Sequence, residues 1–106
     1  MYESKIKSEA MDRLFAAVAR LENEEECYRF FEDLCTINEL QAMAQRYEVA
    51  RMLKKGDTYI AVAEKTGASS ATISRVNRCL LYGAKGYNIA IERENADEPH
   101  HKSFHR

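Results

Sequence analysis

The sequence predicts an all-α chain of about six helices, on three observations. Apolar residues recur at spacings of three and four along most of its length. No alternating strand pattern of useful length appears. Capping residues and glycine stops punctuate the periodic segments at helical intervals.

Residues 1–8 read as a flexible N-terminal arm. From Glu9 onward, Met11, Leu14, Phe15, Val18 and Leu21 form the stripe of an amphipathic helix. Asn23 can end that helix or cap the next. Glu24, Glu25 and Glu26 then place negative charge where a helix N-terminus favours it, and Cys27, Phe30, Phe31 and Leu34 supply a second apolar face. Thr36 followed three residues later by Glu39 is a capping box, opening a long central helix over 36–56. Its stripe is Leu40, Met43, Tyr47, Ala50 and Leu53. Lys54 and Lys55 complement its C-terminal dipole before Gly56 ends it. A helix-turn-helix is expected over 57–82, with Thr58 as its first N-cap. Tyr82, Gly83, Lys85 and Gly86 read as a stop, residues 87–94 as a short C-terminal helix, and residues 95–106 as a disordered tail. The expected organisation is one helical domain over 9–94, with residues 9–35 as dimerising helices.

The helix-turn-helix is the most informative segment. Two short helices crossing steeply need a small residue at their contact, and Ala63 supplies it. Four residues later the chain must turn with positive φ, which costs a residue bearing a β-carbon about 1–2 kcal/mol and glycine almost nothing. Gly67 stands there. Ser69 is an N-cap for a second helix whose buried stripe is Ile73, Val76 (or Asn77) and Leu80. The opposite face carries Ser70, Ala71, Thr72, Ser74, Arg75 and Arg78. Short hydroxyls and a methyl at the entering end suit base edges in a major groove, and guanidinium groups further along suit guanine or phosphate. The residues expected to contact double-stranded DNA are therefore Lys54, Lys55, Thr58, Ser69, Ser70, Ala71, Thr72, Ser74, Arg75 and Arg78. The alternative reading of the same pattern is a helical protein–protein interaction module without specific DNA binding.

Composition is compatible with the first reading. At 106 residues, with 45% hydrophobic and 31% charged residues, the chain is globular rather than disordered throughout. The net charge of −1 hides an uneven distribution: residues 1–49 hold 6 Lys/Arg and 11 Asp/Glu, whereas residues 50–93 hold 8 and 3. Phosphate binding needs a basic patch, not a basic protein. No stretch approaches the run of about 18 apolar residues that spans a bilayer, and the acidic start is unlike a signal peptide, so a cytoplasmic protein with no membrane partner is expected. Cys27, Cys35 and Cys79 lack metal or redox spacing and are expected to be free, buried thiols. No metal or cofactor is expected, since His100, His101 and His105 fall in the polar tail. No nucleophile–base pair, phosphate loop or carboxylate cluster suggests an enzyme.

Leu14, Phe15, Val18, Phe30 and Phe31 present more apolar surface than so short a chain has interior to cover. A homodimer answers this. It would also set two recognition helices about 34 Å apart, one turn of DNA.

The segment Leu34 to Leu80, LCTINELQAMAQRYEVARMLKKGDTYIAVAEKTGASSATISRVNRCL, resembles the Trp repressor superfamily, most closely its YerC/YecD-type branch. The resemblance rests on the box Thr36 to Glu39, the long helix through Arg46, the Lys55–Gly56 stop, and the run Gly67 to Arg75 with its ATISR core. It implies a Trp-repressor-like helical array, an intertwined homodimer with interlocked N-terminal helices, and a DNA-binding repressor. It also implies an effector slot, where Arg46 and Arg75 match the arginines that sandwich an indole and Thr36 lies near the other end. Two departures bear on the ligand. Val76 replaces the glycine that follows the second arginine and would fill indole space, and Cys79 replaces a serine; the first motif helix is also one residue shorter. A small-molecule effector at Thr36, Arg46, Arg75 and Cys79 is compatible with this pattern, but tryptophan is not the expected one. Otherwise Arg46 and Arg75 serve phosphate or acidic side chains, with Glu39 and Glu48 as ion-pair partners for Arg46.

Overall fold

The computed structural model describes residues 2–104, with side chains through Asp97. Six helices and no strand are present among them: α1 (Glu9–Ala19), α2 (Glu24–Leu34), α3 (Ile37–Lys55), α4 (Tyr59–Thr66), α5 (Ser70–Tyr82) and α6 (Gly86–Phe104). By internal packing the chain divides into two compact units, the first ending at Leu40 and the second beginning at Gln41.

Local chemistry accounts for the helix starts in the first unit. Ser8, at the end of the supposed flexible arm, caps α1 by accepting from the Met11 N–H at 3.1 Å, and Lys7 pairs with Asp12 at 2.9 Å. Asn23 caps α2 by accepting from the Glu26 N–H at 2.9 Å. Thr36 Oγ1 accepts from the Glu39 N–H at 3.1 Å while the Glu39 carboxylate accepts from the Thr36 N–H at 2.8 Å, so the capping box is closed in both directions. The Thr36 backbone N–H first, and then the Thr36 side chain, hold the Glu39 carboxyl below its ordinary value. The Phe30 and Phe31 rings meet edge to face, with centroids 5.4 Å apart. No residue of α1 or α2 is fully buried, and Phe15 stays 53% exposed.

The second unit holds the core, built from Val49, Ala50, Val62, Ile73, Val76 and Ile91, with Ala68 and Leu80 at its edge. Ile73, Val76 and Leu80 are the α5 stripe that the spacing predicts. On α3 the expectation needs correcting: Met43 is exposed, whereas Val49, outside the predicted stripe, is fully buried. Adjacent buried positions, Val49 and Ala50, mean that α3 is covered on more than one side here, which a single-stripe template misses.

The C-terminal helix also differs. It runs to Phe104 instead of stopping at Glu94, so residues 95–104 are helical where a disordered tail is expected. Ala96 and Glu98 favour the helix there and no glycine interrupts it, although Pro99 lies within the extended segment. Glu94 itself is tied back to α3, accepting from Tyr47 Oη at 2.8 Å and pairing with Arg51 at 2.7 Å. The cysteines are free, but none is fully buried: Cys27 is exposed on a unit without an interior of its own, and Cys35 and Cys79 are half-buried. No helix among the described residues is long and apolar enough to cross a membrane.

Candidate nucleic-acid interface

The helix-turn-helix is assembled by short-range bonds. Thr58 Oγ1 accepts from the Ala61 N–H at 3.1 Å and starts α4. At the far end Gly67 adopts φ 74°, ψ 6°, donating its N–H to the Ala63 carbonyl at 2.9 Å. A β-carbon at Gly67 would meet nothing within 4 Å, so the requirement there is conformational, not steric. Thr66 Oγ1 donates to the Val62 carbonyl at 2.7 Å and accepts from the Ala68 N–H at 3.1 Å, fixing the chain as it leaves the turn. Ser69 Oγ then caps α5 by accepting from the Thr72 N–H at 3.1 Å. From α3, the Gln45 side-chain amide donates to the Thr66 carbonyl at 3.1 Å. Sequence reasoning did not find this brace, because its ends lie 21 residues apart with no pattern joining them.

Burial divides α5 cleanly. Ile73 and Val76 are each 1% exposed, whereas Ser70, Ala71, Ser74, Arg75 and Arg78 are exposed, and neither arginine forms an ion pair among the described residues. Thr72 is half-buried, and its hydroxyl lies 3.1 Å from Ser69 Oγ, so this expected base-edge reader also belongs to the cap. Ser69 and Thr58, though exposed, likewise use their hydroxyls as caps. Lys54 and Lys55 are exposed in the last turn of α3; Lys55 approaches Asp57 at 3.7 Å. The surface thus offers small polar groups and exposed cations on helices, which suits phosphate positioning and base contact. One cation of the basic half is withdrawn from it: Arg51 bonds to Glu48 at 2.9 Å and to Glu94.

The residues expected to form an effector slot are placed as follows. Thr36 belongs to the first unit, its hydroxyl and N–H both engaged in the capping box. Arg46 is half-buried and pairs with neither Glu39 nor Glu48; Glu48 pairs with Arg51 instead. Arg75 is exposed, Cys79 half-buried, and Val76 is packed into the core. His100 and His101 lie beyond the described side chains, and His105 outside the described residues.

A sequence model described as Trp repressor protein matches residues 9–95. The Bacillus subtilis (strain 168) protein YerC, itself uncharacterized, is 53% identical over 98 residues, spanning 92% of this chain and 94% of that protein. A crystal structure of a TrpR-like protein from Eubacterium eligens ATCC 27750 superposes with a TM-score of 0.82 at 54% identity, covering 86% of this chain and 94% of that one. A Staphylococcus aureus crystal structure gives the same TM-score at 50% identity, covering 86% and 91%.

Proposed function

The chain belongs to the Trp repressor family, and from that premise we propose that it is a sequence-specific transcriptional repressor that reads the major groove with α5 as a homodimer. The observation that carries this reading is the division of α5: an apolar stripe in the core and an outer face of Ser70, Ala71, Ser74, Arg75 and Arg78 left without internal partners. Ser70, Ala71 and Ser74 meet base edges, Arg75 and Arg78 take guanine or phosphate, and Lys54 and Lys55 hold the backbone.

The dimer is supported by the first unit. Phe15, Leu34 and Ile37 are 53%, 50% and 73% exposed, apolar surface that a partner could cover. A second copy covers such surface and doubles the DNA contact. The protein works in the cytoplasm as a regulator with no chemical step of its own. Val76 and Cys79 stand where the resemblance expects a glycine and a serine, which supports an effector other than tryptophan.

Selection of bound sequences from random duplex DNA, with and without a metabolite pool, tests the reading. An enriched two-fold-symmetric site supports it; no enrichment in either condition favours a protein-docking module.

A further inference from the structure

A second feature of the C-terminal unit lies away from the recognition face. An open cavity of about 370 Å³ is bounded by the C-terminal half of α3, the end of α4 and the middle of α6. Its volume falls in the range of small-ligand pockets, about 300–1,000 Å³. Lys54, Lys55 and Lys65 line it, and no residue of α5 does. The acidic lining residue, Glu48, pairs with Arg51 at 2.9 Å, and Arg51 also pairs with Glu94 at 2.7 Å, so this trio keeps one negative charge. Lys54, Lys55 and Lys65 outnumber that charge among the described residues, with Lys55 also approaching Asp57 at 3.7 Å. Beneath them lie the apolar side chains of Met52 and the nearly buried Ile91.

We propose that this cavity binds a small organic phosphate, its phosphoryl oxygens paired with Lys54, Lys55 and Lys65 and its carbon skeleton resting on Met52 and Ile91. Three lysines match a phosphomonoester, which carries about −1.5 to −2 charge at neutral pH, better than a single carboxylate. The apolar floor selects an organic ester over the inorganic ion. A duplex backbone is a poorer occupant, because the site is concave and draws on α6 rather than on α5. Resting on the DNA-binding reading above, the site is also regulatory. Lys54 and Lys55 are shared with the DNA surface, so a bound phosphate removes charge that the duplex needs, and by linkage each ligand weakens the other.

Phenyl phosphate is the probe, with phenol and inorganic phosphate as controls, titrated into the full chain and followed by amide NMR shifts without DNA. Saturable shifts at Met52, Lys54, Lys65 and Ile91 are expected, with weaker binding of both controls. Lys65→Ala should weaken phenyl phosphate about tenfold while leaving the amide spectrum of the core unchanged. Shifts confined to α5, no saturation, or equal affinity for inorganic phosphate would overturn the site. A selected duplex, added afterwards, should bind about tenfold more weakly with the probe present. Unchanged duplex affinity at saturating probe overturns the regulatory link. If no duplex binds at all, the DNA reading fails, and the titration without DNA still decides the site.

Discussion

The Tyr47 hydroxyl donates to the Glu94 carboxylate at 2.8 Å, and the other carboxylate oxygen receives Arg51 Nε at the same distance. This contact joins the middle of α3 to α6, the two helices that flank the reading motif in sequence. Burial first, then the hydrogen bond to Glu94, pushes the Tyr47 phenol up to about 12. A tyrosine whose folded value lies above its unfolded value of about 10 stabilises the fold fully below that unfolded value. The contribution is lost as pH rises toward 12. Urea denaturation across this window should therefore show a fall in stability that Tyr47→Phe flattens; equal slopes in both proteins would contradict the account.

Glu94→Gln keeps the shape and removes the charge. Because the Arg51 and Glu94 side chains are 35% and 34% exposed, solvent screens the pair. A loss of about 1 kcal/mol is expected from urea midpoints, with α3 and α6 retained. A loss near zero would show that water replaces the pair at no cost.

Gly67→Ala tests the turn alone. With nothing within 4 Å of a new β-carbon, the substitution carries the conformational penalty of φ 74° and no clash. A destabilisation of about 1–2 kcal/mol with an unchanged fold is expected, and Gly67→Asn should cost less. A wild-type midpoint for Gly67→Ala would mean that the turn relaxes out of the left-handed region.

The capping box predicts an acid response. Glu39 is held below the usual glutamate range by its bonds to Thr36, so its contribution is present above the unfolded value and lost as pH falls through the folded one. In Thr36→Ala the Glu39 side chain, followed by NMR, should titrate higher than in the wild type. An unchanged titration would leave the backbone N–H of residue 36 as the whole cause and remove the Thr36 side chain from the shift.

Much of this architecture is legible in the sequence because its determinants are local. Asn23, Thr36, Thr58 and Ser69 act within three residues of themselves, and Gly67 answers to one dihedral angle. The α5 face is legible for the same reason, since Ile73, Val76 and Leu80 repeat on one side of one helix. The bonds that set helices against one another are not. Glu94 reaches Tyr47 across 47 residues, and neither position shows its partner in composition or spacing. The extension of α6 beyond Glu94 was not legible either, because its polar composition carries no apolar periodicity. The expected effector set was least legible, since Arg46 and Arg75 were matched by resemblance and form no ion pair among the described residues that would reveal a role.

On the reading face, Arg78 should matter by pairing. Arg78→Ala should lower affinity for a selected duplex by about 1–3 kcal/mol and relax preference at one base position. Measured by fluorescence anisotropy, unchanged affinity would remove Arg78 from the interface.

The central claim, that the outer face of α5 and the end of α3 grip DNA, is tested most directly by the salt dependence of binding to a selected duplex. The account predicts that log affinity falls linearly with log salt, with a slope of about −0.9 for each phosphate neutralised, and that Lys54→Ala makes the slope about one unit shallower. A slope near zero, or one that Lys54→Ala leaves unchanged, would contradict it.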